Sequence, residues 1–196
     1  ANDGNTAFGY SSLYANTYGN DNTALGEETL YANTSGFANT AIGSGTLRFN
    51  NGYVNTAVGS LALRFNTNGA QNTAIGNYAL ISNTTGSSNT AVGVDALLYS
   101  TTGSNNIGVG HEAGYYNIAT ADNQIAIGIT TGTGGANKAI IGNSSQTWIG
   151  GQVGWSAISD ARIKEQVQAD VPGLSFITAL RPVTYHLNIH KQKEIM

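Results

Sequence analysis

The chain of 196 residues contains no cysteine, two prolines and few charges, with Asp, Glu, Lys and Arg together making up 10%. The missing cysteine excludes disulfides and thiolate metal sites. Eight basic side chains against eleven acidic ones, a formal net charge of −3, leave too little cation to neutralise a phosphate backbone, so nucleic acid is not an expected partner. No apolar run approaches the ~18 residues of a membrane-spanning helix, so membrane insertion is not expected either. The opening Ala-Asn-Asp-Gly has neither the charged nor the apolar region of a secretory signal. It begins inside a repeat, as an excised fragment would.

What the chain has in excess is glycine. Of 26 glycines, 25 precede Ser156 and only Gly173 follows it. Charge divides at the same point: residues 1–155 hold three basic and seven acidic side chains, residues 156–196 five and four. Two unlike domains are therefore expected, 1–155 and 156–196.

The first is a repeat. The pentapeptide Asn-Thr-Ala-apolar-Gly begins at Asn5, Asn22, Asn39, Asn55, Asn72 and Asn89, at spacings of 17, 17, 16, 17 and 17. Degenerate copies end at Gly110 and Gly128, then at shorter intervals at Gly142 and Gly150. Leu13, Leu30, Leu47, Leu63, Leu80 and Leu97 keep the same beat, as do Asn16, Asn33, Asn50, Asn66 and Asn83. A 17-residue unit is too short for a helical hairpin, and Gly and Asn are poor helix formers. Asn, Thr and Gly between two short apolar segments supply turns and tolerate left-handed backbone. Identical rungs stacked about 4.8 Å apart would pair each strand with the next. The reading is all-β: a parallel β-solenoid or β-roll of ~17-residue rungs.

Alternation within Thr-Ala-apolar-Gly puts Thr and the apolar residue (Phe8, Leu25, Ile42, Val58, Ile75, Val92) on one face and Ala on the other. One rung with a Leu, an Ile or Val and an Ala gains roughly 4–6 kcal/mol if all are buried, well below the entropy of ordering 17 residues. Other chains packed against the small Ala and Gly face would close that gap, so a homotrimer joined through that face is expected; the alternative is a monomeric solenoid with a small-residue interior. The asparagine columns read as side-chain ladders along the solenoid axis. The acceptor pattern Asn-X-Ser/Thr at Asn33, Asn83 and Asn143 carries no weight where Asn-Thr is the repeat itself.

The units, as in Asn72-Thr-Ala-Ile-Gly76 followed by Asn-Tyr-Ala-Leu, resemble the head repeats of trimeric autotransporter adhesins of the YadA type; similar arrays occur in phage tail fibres. The resemblance covers residues 1–150 and implies a trimer of parallel β-rolls.

After Trp155 the texture changes. Arg162 to Val167 alternates as a short strand, Pro172 suits the first turn of a helix running to about Leu180, and Val183–Ile189 alternates again, an α+β segment. Ser159-Asp160-Ala161-Arg162-Ile163-Lys164 and then Leu180-Arg181-Pro182-Val183-Thr184-Tyr185 resemble the start of the intramolecular chaperone of endosialidase, the peptidase S74 domain. That resemblance implies a trimerisation chaperone that cuts itself away: Ser159 as nucleophile, Lys164 as general base, the Ile158–Ser159 bond broken, with Asp160 and Arg162 in supporting positions. A lysine serves as base where burial lowers its pKa. The segment stops at Met196, soon after Tyr185, so a substrate-like remnant with little or no single-turnover cleavage is expected.

No metal or cofactor is expected. His186 and His190 are four apart but lie in strand-like sequence, and Gly132-Thr-Gly134-Gly135 lacks the acidic residues of a calcium-binding repeat. Trp148 and Trp155 are expected to plug the solenoid end. The functional expectation is a trimeric fibre or receptor-binding protein, of a phage or contractile injection system, on the virion, particle or cell exterior, binding an unidentified surface receptor such as a glycan. A bacterial adhesin head is the alternative. Ice binding through Thr6, Thr23, Thr40, Thr56, Thr73 and Thr90 ranks last, because those threonines share the apolar face.

Overall fold

The computed structural model describes residues 4–117 and 119–147, within the first of the two units into which the chain divides, Ala1–Ile149. Among the described residues nine strands follow one another: β1 Thr6–Phe8, β2 Thr23–Leu25, β3 Thr40–Ile42, β4 Thr56–Val58, β5 Thr73–Ile75, β6 Thr90–Val92, β7 Ile107–Val109, β8 Gln124–Ile127 and β9 Lys138–Ile141. They form one parallel sheet in sequence order, each strand paired only with its neighbours along the chain. Register follows the repeat: Thr23 pairs with Thr40, Ala24 with Ala41, Leu25 with Ile42. The degenerate copies ending at Gly110, Gly128 and Gly142 are true rungs, since β7, β8 and β9 end immediately before those glycines; the copy ending at Gly150 lies outside the described residues. The architecture is thus the β-solenoid that the 17-residue period predicts. No helix occurs among the described residues.

Each turn carries one strand, and the rest of the rung is a series of turns that still bond rung to rung. Leu47 N–H donates to Ala62 O at 3.0 Å, and Leu63 N–H to Ala79 O at 3.0 Å. These leucines adopt left-handed backbone, φ 50° at Leu47 and 51° at Leu63. For a leucine that costs about 1–2 kcal/mol. Complete burial of Leu30, Leu47, Leu63, Leu80 and Leu97 returns roughly 1.5–3 kcal/mol each and offsets it.

Two asparagine ladders hold the turns. In the first, Asn39 donates from Nδ2 to Asn22 Oδ1 at 3.0 Å and to Gly52 O at 3.0 Å, and the pattern repeats at Asn55 and Asn72. The second climbs from Asn33 to Asn16, Asn50 to Asn33, Asn66 to Asn50 and Asn83 to Asn66. A buried amide needs partners on both sides, and identical amides one rung apart provide them.

The second ladder has one gap. Ser100 replaces Asn there, and three buried atoms are left without partners: Asn83 Oδ1 on one side, Asn117 Nδ2 on the other, and Ser100 Oγ between them. The backbone is ready for an asparagine, since Ser100 N–H donates to Leu97 O at 3.1 Å as Asn83 N–H does to Leu80 O. Ser100→Asn is expected to complete the ladder and raise stability by about 2 kcal/mol, read as a higher urea midpoint at unchanged slope.

The strand faces correct the sequence reading. Ala24, Ala41, Ala57, Ala74 and Ala91 are fully buried inside their own chain, so the small-residue face is the interior of the solenoid and not a contact between chains. The rung is narrow, and Leu with two amide columns fills it. Only Ala fits beside them, and the larger Ile, Val and Leu of the pentapeptide are turned out.

Candidate functional site

The outward face of the sheet is a two-column strip. One column holds Thr23, Thr40, Thr56, Thr73 and Thr90, continued by Ile107 and Ile125. The other runs Phe8, Leu25, Ile42, Val58, Ile75, Val92, Val109, Ile127 and Ile141. No charged residue stands in either column from β1 to β9. Leu25, Ile42, Ile75, Val109 and Ile127 are each 37–41% exposed, and Phe8 at the end of the row is 74% exposed. Side chains two apart on a strand stand about 6.7 Å apart, and successive rungs about 4.8 Å apart. The strip is therefore a regular lattice of methyl and hydroxyl groups. Its threonines are outward, which removes the ground on which ice binding ranked last.

A second surface follows the turn after each buried Leu. Tyr14 stacks on Tyr31 with ring centroids 5.2 Å apart, and Phe49 on Phe65 at 5.9 Å, both pairs within 5° of parallel. Arg48 lies over Tyr31 and Phe49, 5.1 and 4.9 Å from the ring centroids. Its guanidinium grips Glu28 with two bonds, of 2.8 and 3.1 Å. The ring column breaks at Ser82, and an open hollow of about 580 Å³ lies beside Phe49, Phe65, Thr67, Ser82 and Thr84. Beyond the gap Tyr99 meets Tyr115, hydroxyl to hydroxyl at 3.4 Å. That hydrogen bond, more than the nearby charge of Glu112, holds the Tyr115 phenol above the usual tyrosine range.

Of the residues the sequence reading singled out, Asn33 and Asn83 are fully buried in the ladder, closed to a glycosylating enzyme. The cleavage bond Ile158–Ser159, with Ser159, Lys164, Asp160 and Arg162, lies outside the described residues, as do the strand and helix readings after Trp155, Trp148 and Trp155 as plugs, and His186 and His190. The rings lie in two adjacent columns, Tyr14 and Tyr31 one position after the repeating Leu and Phe49 and Phe65 two positions after it, and went unnoticed in the sequence because the residues differ from rung to rung. Aligning the chain at 17 residues places Tyr14 over Tyr31, and Phe49 sits 16 from Phe65. Compared with known proteins, the chain matches no family model, no curated protein and no solved structure.

Proposed function

We propose that this protein is a homotrimeric attachment fibre, exposed on a virion, an injection particle or a cell surface. The observation that carries the reading is the uncharged strip turned outward in unbroken register along the nine described strands, an apolar column beside one of Thr that passes to Ile107, Ile125 and Ala139 in the last three. A continuous apolar row of this length calls for a partner. A globular partner has no reason to repeat every rung, whereas another copy of the same chain, laid parallel, has the same rise at every step. Closed cyclic symmetry lets each copy present one face to a common axis. The strip thereby takes over the role expected of the Ala face, and three chains bury the apolar groups that one leaves wet.

Attachment would use the ring column, which lies off the strip. A sugar's apolar face stacks on Phe65 where the next ring is missing, and Ser82, Thr67 and Thr84 offer hydroxyls around it. Three copies would multiply a weak contact by avidity. The likeness of Ser159–Lys164 and Leu180–Tyr185 to a trimerisation chaperone supports a fibre whose assembly is assisted, with Ser159 and Lys164 as the pair that would break the Ile158–Ser159 bond.

Native mass of the purified chain tests the reading. The expected particle is three times 20.3 kDa, and Ile75→Asp is expected to give monomers that keep the far-ultraviolet spectrum of the wild type. A folded wild-type monomer would refute the trimer. One observation favours a second reading in that event: the outward threonine lattice is also an ice-binding geometry. A monomer with thermal hysteresis, lost in Thr73→Tyr, would establish it, because ice needs the strip bare and a trimer covers it.

A further inference from the structure

The turns that follow β6 and β7 bring together Asp95, His111 and Glu112, whose ligand atoms all lie within 4.8 Å of one another. Asp95 and Glu112 occupy the same position on successive rungs, 17 residues apart. The backbone ladder holds both, Asp95 N–H to Asn77 O at 3.0 Å and Glu112 N–H to Val94 O at 2.9 Å. Thr130, on the next rung, donates its hydroxyl to Glu112 Oε2 at 2.8 Å and fixes that carboxylate.

Two like charges stacked one rung apart destabilise a sheet. At Glu28 the solenoid answers an acid with a cation: Arg48 closes on it across adjacent rungs at 2.8 Å. Among the described residues no lysine or arginine forms an ion pair with Asp95 or Glu112. What stands beside them is an imidazole, a metal ligand when neutral. The repeat is also irregular at these two rungs. The second asparagine ladder is broken between them at Ser100, and Thr-Ala of the pentapeptide gives way to Ile107-Gly108.

We propose that Asp95, His111 and Glu112 form a divalent transition-metal site, zinc by its donor set, that staples the sixth rung to the seventh. One ring nitrogen and two carboxylate oxygens suit zinc, whereas calcium and magnesium take oxygen alone. Tetrahedral zinc at about 2.0 Å from each donor sets them roughly 3.3 Å apart. His111 is exposed and Asp95 partly so, which leaves both side chains room to turn toward the Glu112 carboxylate that Thr130 holds. The fourth position faces solvent.

The test is zinc binding to the chelator-treated full chain, followed by titration calorimetry with zinc chloride alone, and by the visible spectrum of the cobalt form. Expected is one zinc per chain, a rise in melting temperature with zinc, and tetrahedral cobalt bands. His111→Ala and Asp95→Asn are each expected to weaken binding more than about tenfold and to abolish the thermal shift, and Thr130→Val to weaken it about tenfold through the loosened carboxylate. His186→Ala with His190→Ala is expected to leave binding unchanged. Wild-type zinc uptake equal to that of His111→Ala, or lost only in the His186 and His190 variant, would overturn the proposal. So would a chain that takes up no zinc.

Discussion

Asn55→Ala is expected to destabilise the solenoid by roughly 4 kcal/mol and to split its unfolding into two steps. The Asn55 amide is buried and used on both sides. Its Nδ2 donates to Gly69 O at 2.9 Å and to Asn39 Oδ1 at 3.2 Å, while its Oδ1 accepts from the backbone N–H of Asn72 at 3.0 Å and from Asn72 Nδ2 at 3.2 Å. Truncation leaves the Asn72 N–H buried without a partner, about 1–3 kcal/mol on its own, and removes four further bonds, a long one of 3.4 Å from Nδ2 to Asn50 Oδ1 among them, at a net ~0.5–1.5 kcal/mol each. Each rung touches only its neighbours, so a defect in the fourth or fifth weakens the coupling between the two halves. Denaturant unfolding followed by circular dichroism is expected to show one transition in the wild type and two in the variant. Asn55→Asp sharpens the argument, because a carboxylate keeps the shape and loses the donor. It is expected to be worse than Ala at neutral pH and to recover in part under acid, where the protonated acid donates again. An Asn55→Ala midpoint within experimental error of the wild type would mean that the ladder contributes little.

Gly76→Ala is expected to cost a comparable 3–5 kcal/mol for a different reason. Gly76 has φ 139°, a region closed to side chains. An added Cβ would clash with the carbonyl of Gly93 on the next rung, with the carbonyl carbon only 2.5 Å away and Val94 N at 3.0 Å. That obstacle is backbone, held by the bond from Gly93 N–H to Ile75 O at 2.8 Å, so nothing yields cheaply. The control is Gly134→Ala. Gly134 also has positive φ, 58°, but nothing lies within 4 Å of the added carbon, and the change is expected to cost about 1 kcal/mol. Equal losses at the two sites would show that backbone strain, and not the approach of rungs, governs this column.

The zinc cluster shows how the repeat makes a distant pair readable and where that reading ends. Writing the sequence in rows of 17 places Asp95 directly above Glu112 and puts His111 beside them. The rows do not say whether those side chains point outward together or are parted by the turn, which depends on backbone angles. Here both acids sit in left-handed backbone, φ 58° and 53°, and that conformation aims them at the same side. The gap at Ser100 was equally plain as a missing letter in a column, yet its meaning needed the burial of the amides on either side.

The period, the strands of the pentapeptide repeat, the degenerate rungs ending at Gly110, Gly128 and Gly142 and the asparagine ladders were determined by the sequence alone. A chain that repeats every 17 residues has little choice but to stack like on like, and a buried column of identical amides can satisfy itself only along the stack. Which side of each strand faces inward was decided by the tertiary structure. Strict alternation separates Thr and Ile, Val or Leu from Ala but is silent on which set is interior. Hydrophobicity taken alone would bury the larger side chains. Closing so short a turn leaves a narrow interior, already filled by one leucine and two amide columns, and only a methyl group fits the remaining space. The bulkier apolar residues were turned outward by lack of room, and that reversal is what creates the strip through which three chains are proposed to meet.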